Sequence, residues 1–292
     1  MSSVVVENGG IPVSEDNALW SADINSFVKQ AIREVYATYG DVVSVVDKKK
    51  SLLKFGQNES VGTSEATIME FLGSEVDVSY PSTNDFDSFS CTDNSFTGYV
   101  AIEGHYWSGS LLVFKAQIVQ ANGNTRVALD QALSRVTRME CYDETEFNAS
   151  TDQCYVFANT TLSSGVPVDT SKINLLMTAK ERQSKKTATS VSSTDYAFIT
   201  KIYADINKKT SASADIRFRV REIGSGTGRR PGGFKTKLIR TLDSTSKPDF
   251  SIDYSPFFVV PKTSDMKLTA EGSTTGVSVS GGIEMLLAKV VG

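Results

Sequence analysis

The sequence predicts a mainly β protein, with antiparallel β-sandwich or jelly-roll-like modules behind an N-terminal amphipathic helix. Three observations lead there. From about Glu75 onward, segments rich in β-branched and aromatic residues, such as TGYVAIEGHYW and SLLVFKAQIVQ, recur at short intervals. ADIRFRVRE alternates without fault, with Ile216, Phe218 and Val220 to one side and Arg217, Arg219 and Arg221 to the other. Gly, Pro, Ser and Thr turns separate these segments with no helical pattern between them, which favours stacked antiparallel sheets over βαβ units.

Residues 1–17 read as a flexible arm around Gly9-Gly10-Ile11-Pro12. Residues 18–74 read as a helical N-terminal region. In ALWSADINSFVKQAIREVYATY (18–39), Ile24, Phe27, Val28, Ala31, Val35 and Tyr39 recur at helical steps, with Asn17 or Ser21 as caps and Gly40 as the stop. Lys48-Lys49-Lys50 then suggests a solvated turn, and GTSEATIMEFLG (62–73) a short helix capped by Thr63 or Ser64.

A β-sandwich region spans 75–178, with Asn122-Gly123 as its clearest hairpin signal. A polar, charged stretch at about 179–193 reads as a link. A second β region follows at 194–292, and the two are compatible with one composite domain. In DYAFITKIYADIN, Tyr196, Phe198 and Ile202 are the expected inward residues.

Composition narrows the function classes. Of 292 residues, 40% are hydrophobic and 22% charged, a balance typical of soluble globular chains. The net charge of −4 argues against a surface built as a whole to grip nucleic acid. There is no apolar run of membrane-spanning length, and the start MSSVVVENGGIPVSEDN lacks the basic n-region of an export signal. The single histidine, His105, sits in a strand pattern, so a multi-histidine metal site is impossible and a histidine-based triad has one candidate. Cys91, Cys141 and Cys154 have no zinc-type spacing; Cys141 and Cys154 flank an acidic loop and can meet across a hairpin, although reduced thiols are the simpler reading. No catalytic residue, metal ligand or cofactor site is expected, and no enzymatic activity.

The stretch EIGSGTGRRPGGFKTK (222–237) resembles a phosphate cradle at first sight. A P-loop needs lysine directly after its last glycine and a helix beginning there. Here Phe234 separates Gly233 from Lys235, Arg229 stands where a dinucleotide fingerprint needs its third glycine, and the following FKTKLIRTL alternates like a strand. It is a glycine-rich hairpin loop.

Its charge is a separate matter. From Asp215 to Arg240 there are six arginines and two lysines against two acids, on a chain that is negative in total. Arg217, Arg219, Arg221, Arg229, Arg230, Lys235 and Lys237 are therefore the candidate partner-binding residues, suited to an acidic protein surface. The competing reading is a strand edge kept soluble by charge. Nucleic acid is disfavoured because Phe234 alone makes a thin stacking platform. The acidic loop YDETEFNASTDQ (142–153), with Asp143, Glu144, Glu146 and Asp152, lacks EF-hand spacing for calcium and reads first as a solvated loop; it is also a natural mate for the basic loop of a neighbouring copy.

Several phrases carry a resemblance: LLKFGQNESVGTSEATI, YVAIEGHYWSG, ALSRVTRMECY, SSGVPVDTSKINLLM, FRVREIGSGTGRRPGGFK and PKTSDMKLTAEGSTTGVSVSGGIEMLL. Together, over roughly 50–292, they resemble virion structural proteins of tailed bacteriophages of aquatic hosts. The resemblance implies a β-rich particle component without enzymatic activity, located in the virion and assembled in the host cytoplasm. Its partners would be other virion proteins and further copies of itself, as a homo-oligomer on the particle, with no membrane contact. The long mid-chain spine helix expected of a tailed-phage shell protein is missing, so a capsid decoration or cement protein is the favoured expectation. A tail or fibre-base component and a jelly-roll capsid protein of a tailless virus come next. From another class, a carbohydrate-binding β-sandwich would use Tyr99, Tyr106 and Trp107 as stacking rings.

Overall fold

The computed structural model describes residues 3–4, 13–14, 45–70, 78–142, 145–207, 211–223 and 232–291. The predicted helix at 18–39, most of the arm at 1–17, and Arg229 and Arg230 lie outside them. The described residues are mainly β, in antiparallel sheets.

At the N-terminus β1 (Ser3–Val4) and β2 (Val13–Ser14) pair with each other, followed by the long β3 (Val45–Val61) and the short β4 (Ala66–Thr67). The first half continues with β5 (Phe86–Cys91), β6 (Tyr99–Ser108), β7 (Leu111–Gln120), β8 (Val127–Leu133), β9 (Arg135–Cys141) and β10 (Gln153–Ala158). A small hairpin of β11 (Leu162–Ser163) and β12 (Val166–Pro167) leads to β13 (Ile173–Thr178). Between them lies a 3-10 turn, Thr170–Lys172, whose Ser171 N–H is capped by Asp169 at 3.1 Å. The second half holds β14 (Thr189–Val191), β15 (Asp195–Asn207), β16 (Ser213–Glu222), β17 (Lys235–Asp243), β18 (Asp249–Val260), β19 (Ser264–Gly272) and β20 (Val277–Val291).

In the first half, sheet β13-β10-β5-β8 faces sheet β7-β6-β9. Phe89, Cys91, Cys154, Val156, Leu175 and Met177 from one sheet meet Val100, Ile102, Val119, Val136 and Met139 from the other in a single core. In the second half, sheet β18-β15-β20-β3 faces sheet β14-β19-β16-β17, with β4 added on β19. Ile199, Ile202, Ile283 and Met285 pack there against Ile216, Phe218, Met266 and Leu268. Burying each such large side chain contributes about 1.5–3 kcal/mol.

Several expectations need correcting. The region 18–74 is not helical where it is described. Lys48–Lys50 do not form a turn but lie within β3, which runs beside β20 from Val45↔Val291 to Val61↔Val277. Pairing with β20 outweighs the turn preference of three adjacent lysines, although the ladder shifts register between Lys49↔Ala288 and Val46↔Val290. The helix expected at 62–73 is absent over 62–70. Ile68 N–H donates to the Leu268 carbonyl at 3.0 Å, and the Ile68 carbonyl accepts from Thr187 N–H at 3.1 Å. Groups that a helix would pair internally are committed to distant strands.

Asn122-Gly123 is a turn, yet it does not join a hairpin. β7 and β8 lie in different sheets, so the chain crosses the core edge here. Gly123 has φ +55°, and a Cβ there would stand 2.3 Å from the Asn94 carbonyl oxygen, so only glycine fits. Gln117 then bridges the gap with its side chain, donating to the Gln131 carbonyl and accepting from its N–H, both at 3.0 Å.

Tyr196 and Phe198 do not share a face with Ile202. A bulge between Ile199 and Lys201 reverses the alternation, so Phe198 joins Ala288, Phe257 and Val259 on the outer side of its sheet. The stretch 179–193 is a link only in its first part, where Lys180 and Gln183 are exposed; from Lys186 to Ser192 it is a buried seam. Lys186, Thr187, Ala188, Thr189, Ser190 and Val191 are all buried. Lys186 Nζ donates to the carbonyls of Val136 and Asn174 and to Asn174 Oδ1, at 2.7–3.1 Å.

Candidate partner-binding site

β16 runs between β19 and β17, so its apolar face enters the core and its arginine face lies over β19. The arginine side chains are only 16%, 22% and 12% exposed for Arg217, Arg219 and Arg221, too little for an outward basic patch. Each is engaged within the chain. Arg217 reaches Glu271 at 2.6 Å and Asp215 at 3.1 Å. Arg219 forms a two-pronged pair with Glu65, which also accepts from the Thr269 hydroxyl. Burial pushes the Glu65 carboxyl up, but the Arg219 and Thr269 hydrogen bonds and the charges of Arg219 and Arg217 outweigh it, holding the group below its ordinary value.

Arg221 belongs to a junction between the two halves. Asp265 on β19 is fully buried and accepts from Arg221 at 2.7 and 2.9 Å. From the first half, Arg135 on β9 donates to the same carboxylate at 3.2 and 3.3 Å; from β14, the Ser190 hydroxyl donates to it at 2.5 Å. Aromatic rings enclose the cations. Arg221 lies 4.4 Å from the Tyr80 ring and 4.7 Å from that of Phe234, and Lys267 lies 4.6 Å from Phe234. Phe234, the residue that breaks the P-loop spacing, thus anchors the root of the glycine-rich loop on the junction.

β17 differs. Among the described residues it is the edge of its sheet, and Lys235, Lys237 and Arg240 are exposed, as is Ile239 at 50%. Among the described residues no carboxylate pairs with Lys235 or Lys237. A Cβ at Gly232 or Gly233 would meet nothing within 4 Å, so the loop's approach to β17 is open on that side. At the other end Asp243 fixes the turn into β18. It accepts from the Thr245 hydroxyl at 2.6 Å, Thr245 N–H at 2.9 Å and Ser246 N–H at 3.0 Å, which hold its carboxyl down at about 2.

Of the predicted site residues, then, the structure sets Arg217, Arg219 and Arg221 inside a charged seam and leaves Lys235 and Lys237 on an open edge. Sequence reading missed Glu65, Asp265 and Arg135. No local signal marks them, since Glu65 and Arg219 are 154 positions apart.

In the acidic loop, Asp143 and Glu144 lie outside the described residues. Asp152 is taken up by Thr92 and the Ala149 N–H, and Glu146 reaches Arg182 at 3.9 Å. Of the rings considered for sugar stacking, Trp107 is buried with Leu112 and Ile223, and only Tyr99 is well exposed. His105 packs edge-on against Phe114 beside a cavity of about 170 Å³ between the halves, where Lys54 and Asp195 also stand.

No family model matches the chain, and neither does any curated protein. Among solved structures the chain is faintly similar to the VP2 subviral particle of infectious bursal disease virus. Identity is 6% over 89% of this chain and 78% of that one, with a TM-score of 0.17. The structure of the Gt strain of the same virus gives 8% identity over 89% and 82%, with a TM-score of 0.13. Likenesses at these scores carry no argument.

Proposed function

We propose that this chain is a non-enzymatic structural protein of a tailed-phage virion, a decoration or cement subunit that binds the capsid shell and neighbouring copies. On this reading each pair of sheets is a β-sandwich module of jelly-roll type, and the two modules act as one block locked by the Arg135–Asp265–Arg221 junction. The observation that carries the proposal is β17. An edge strand with exposed Lys235, Lys237 and Arg240 around a half-exposed Ile239 offers an unpaired ladder, positive charge and an apolar contact together. On a subunit repeated by symmetry, small contact energies add over many copies. The sequence phrases that resemble virion proteins supply the particle context.

The test is location. Antibodies raised against the recombinant chain, applied to purified particles and viewed by electron microscopy, should label the shell in a regular array. Labelling confined to the tail would move the protein to a fibre-base role, and its absence from washed particles would overturn the reading.

A further inference from the structure

The three cysteines do not stand as their spacing suggests. Cys141 lies on β9, opposite Val100, while Cys154 on β10 lies directly opposite Cys91 on β5. All three are in the thiol form, and Cys91 and Cys154 are fully buried. The ladder bond beside the pair defines its type. Thr92 N–H donates to the Gln153 carbonyl at 2.9 Å, so Thr92 and Gln153 occupy a hydrogen-bonded position. In an antiparallel pair the two kinds of position alternate, which makes Cys91↔Cys154 a non-hydrogen-bonded one, with Cα atoms about 4.5 Å apart and side chains at their closest. Both side chains enter the same core. A disulfide accepts Cα separations of about 4.4–6.8 Å, so the backbone already stands within range.

We propose that Cys91 and Cys154 form a cross-strand disulfide when the protein meets an oxidising medium, making this pair a redox-sensitive staple between two adjacent strands of one sheet. The pair is polarised for that chemistry. The Cys154 thiol donates to the Cys91 sulfur, and with a further bond from the Asp93 backbone this lowers the Cys91 thiol against the opposing effect of burial. Burial pushes Cys154 well up, so Cys91 is the attacking thiolate. With a small-molecule disulfide as oxidant, Cys91 releases its proton to solvent and its sulfur attacks one sulfur of the reagent. The reagent's S–S bond breaks, and the departing thiolate takes up a proton. Cys154 then loses its proton and attacks Cys91, expelling the second reagent thiolate, which is protonated in turn. Two protein thiols are oxidised and one disulfide is reduced to two thiols.

Access comes from position. Cys91 ends β5 and Cys154 is the second residue of β10. Over them lies a cap of short polar links: Thr92 to Asp152 at 3.1 Å, and Asn148 and Ser95 to Asp93 at 2.7–2.9 Å. Opening this cap lifts Phe96 and Phe147, which stack on each other at the edge of the same core, and is a local opening short of global unfolding. The bond would join two ends between which β6 to β9 all lie, and restraint of a long loop is the arrangement in which a disulfide most limits the unfolded chain.

The experiment uses the full chain, purified reduced and incubated with oxidised glutathione just below its thermal midpoint, where cap opening is frequent. Alkylation under denaturing, non-reducing conditions and peptide mapping should give one cross-linked peptide containing Cys91 and Cys154, with Cys141 alone alkylated. The thermal midpoint should rise and fall back on adding reductant. Cys141→Ser should leave the cross-link intact, and Cys91→Ser should abolish it. Three alkylated cysteines after incubation would overturn the proposal, and so would a Cys141–Cys154 cross-link. Because the mapping is done on the wild-type chain, its outcome does not depend on a variant folding.

Discussion

β16 and β17 are neighbours in one sheet, joined by one loop and both rich in basic residues, yet they use their charge in opposite ways. β16 is an inner strand. Arg217, Arg219 and Arg221 lie over β19 and the segment around β4, where Glu271, Glu65 and Asp265 meet them. β17 is an edge strand, and Lys235 and Lys237 face solvent. Density of charge in a sequence therefore does not mark a surface; strand position does. The side-chain chemistry agrees with the placement. Arginine's planar fork suits the two-pronged, partly buried pairs of β16, while lysine's flexible, strongly hydrated ammonium suits an edge that must resist stray pairing.

The largest effect that would break this contrast lies at Asp265. Asp265→Ala leaves Arg135 and Arg221 facing each other in a buried site without their shared anion. Removing one partner from such a buried cluster costs about 3–5 kcal/mol, a large share of the roughly 5–15 kcal/mol that holds a typical domain together. Urea unfolding should show a lower midpoint, or two transitions if the halves separate. Adding Arg221→Met should restore part of the loss, because one uncompensated cation is then replaced by an apolar chain of similar length. An Asp265→Ala midpoint equal to wild type would mean that the junction does not lock the two halves.

Next in size is Glu65. Its carboxyl is depressed in the folded state, so it binds its proton more readily when the chain unfolds. Its contribution is fully present above the ordinary glutamate value of about 4.3, and is lost as pH falls through the lower folded value. Glu65→Gln should cost about 1–2 kcal/mol at neutral pH, the range for hydrogen bonds to a charged group after allowance for partial exposure. As pH falls through the lowered folded value the gap between variant and wild type should close, since both side chains are then neutral. Denaturation midpoints of the two proteins across that range check this, and a gap independent of pH would show that Glu65 acts through packing alone.

These two carboxylates also mark the limit of what the sequence made legible. Alternation in ADIRFRVRE gave the strand, its apolar face and the shared direction of the three arginines, because strand period is local. Where each arginine's charge goes depends on register with β19 and β4, and Arg221 and Asp265 are 44 positions apart. The helix read into 62–73 failed for the same reason. Its cap and apolar spacing are real local signals, but pairing of Ala66–Thr67 with β19 outweighed them. The lysines of β3 and the pairing of Cys154 with Cys91 were hidden likewise, being fixed by ladders between strands far apart in the chain. Phe198 was recognised as buried but placed on the wrong face, because the bulge after Ile199 leaves no mark in composition.

The smallest effect on stability should come from the edge, and there the contrast with β16 is sharpest. Lys235→Glu combined with Lys237→Glu changes two exposed side chains on a strand whose core contacts come from Leu238 and Leu242. Surface changes of this kind stay within about 0.5 kcal/mol, so the thermal midpoint should hardly move. Arg219→Glu, one strand away, should by contrast lower it clearly, because it sets two carboxylates together at Glu65. Binding should run the other way. If β17 is the docking edge, the double lysine variant loses cosedimentation with particles stripped of the protein, and added salt weakens the wild type in the same direction by screening exposed charge over about 8–10 Å. An Arg219 variant mild enough to stay folded, such as Arg219→Lys, should attach like the wild type, since its cation is committed within the chain. Unchanged attachment of the lysine variant across the salt series would leave β17 a solubilising edge, with the same internal arginines beside it and no partner to meet.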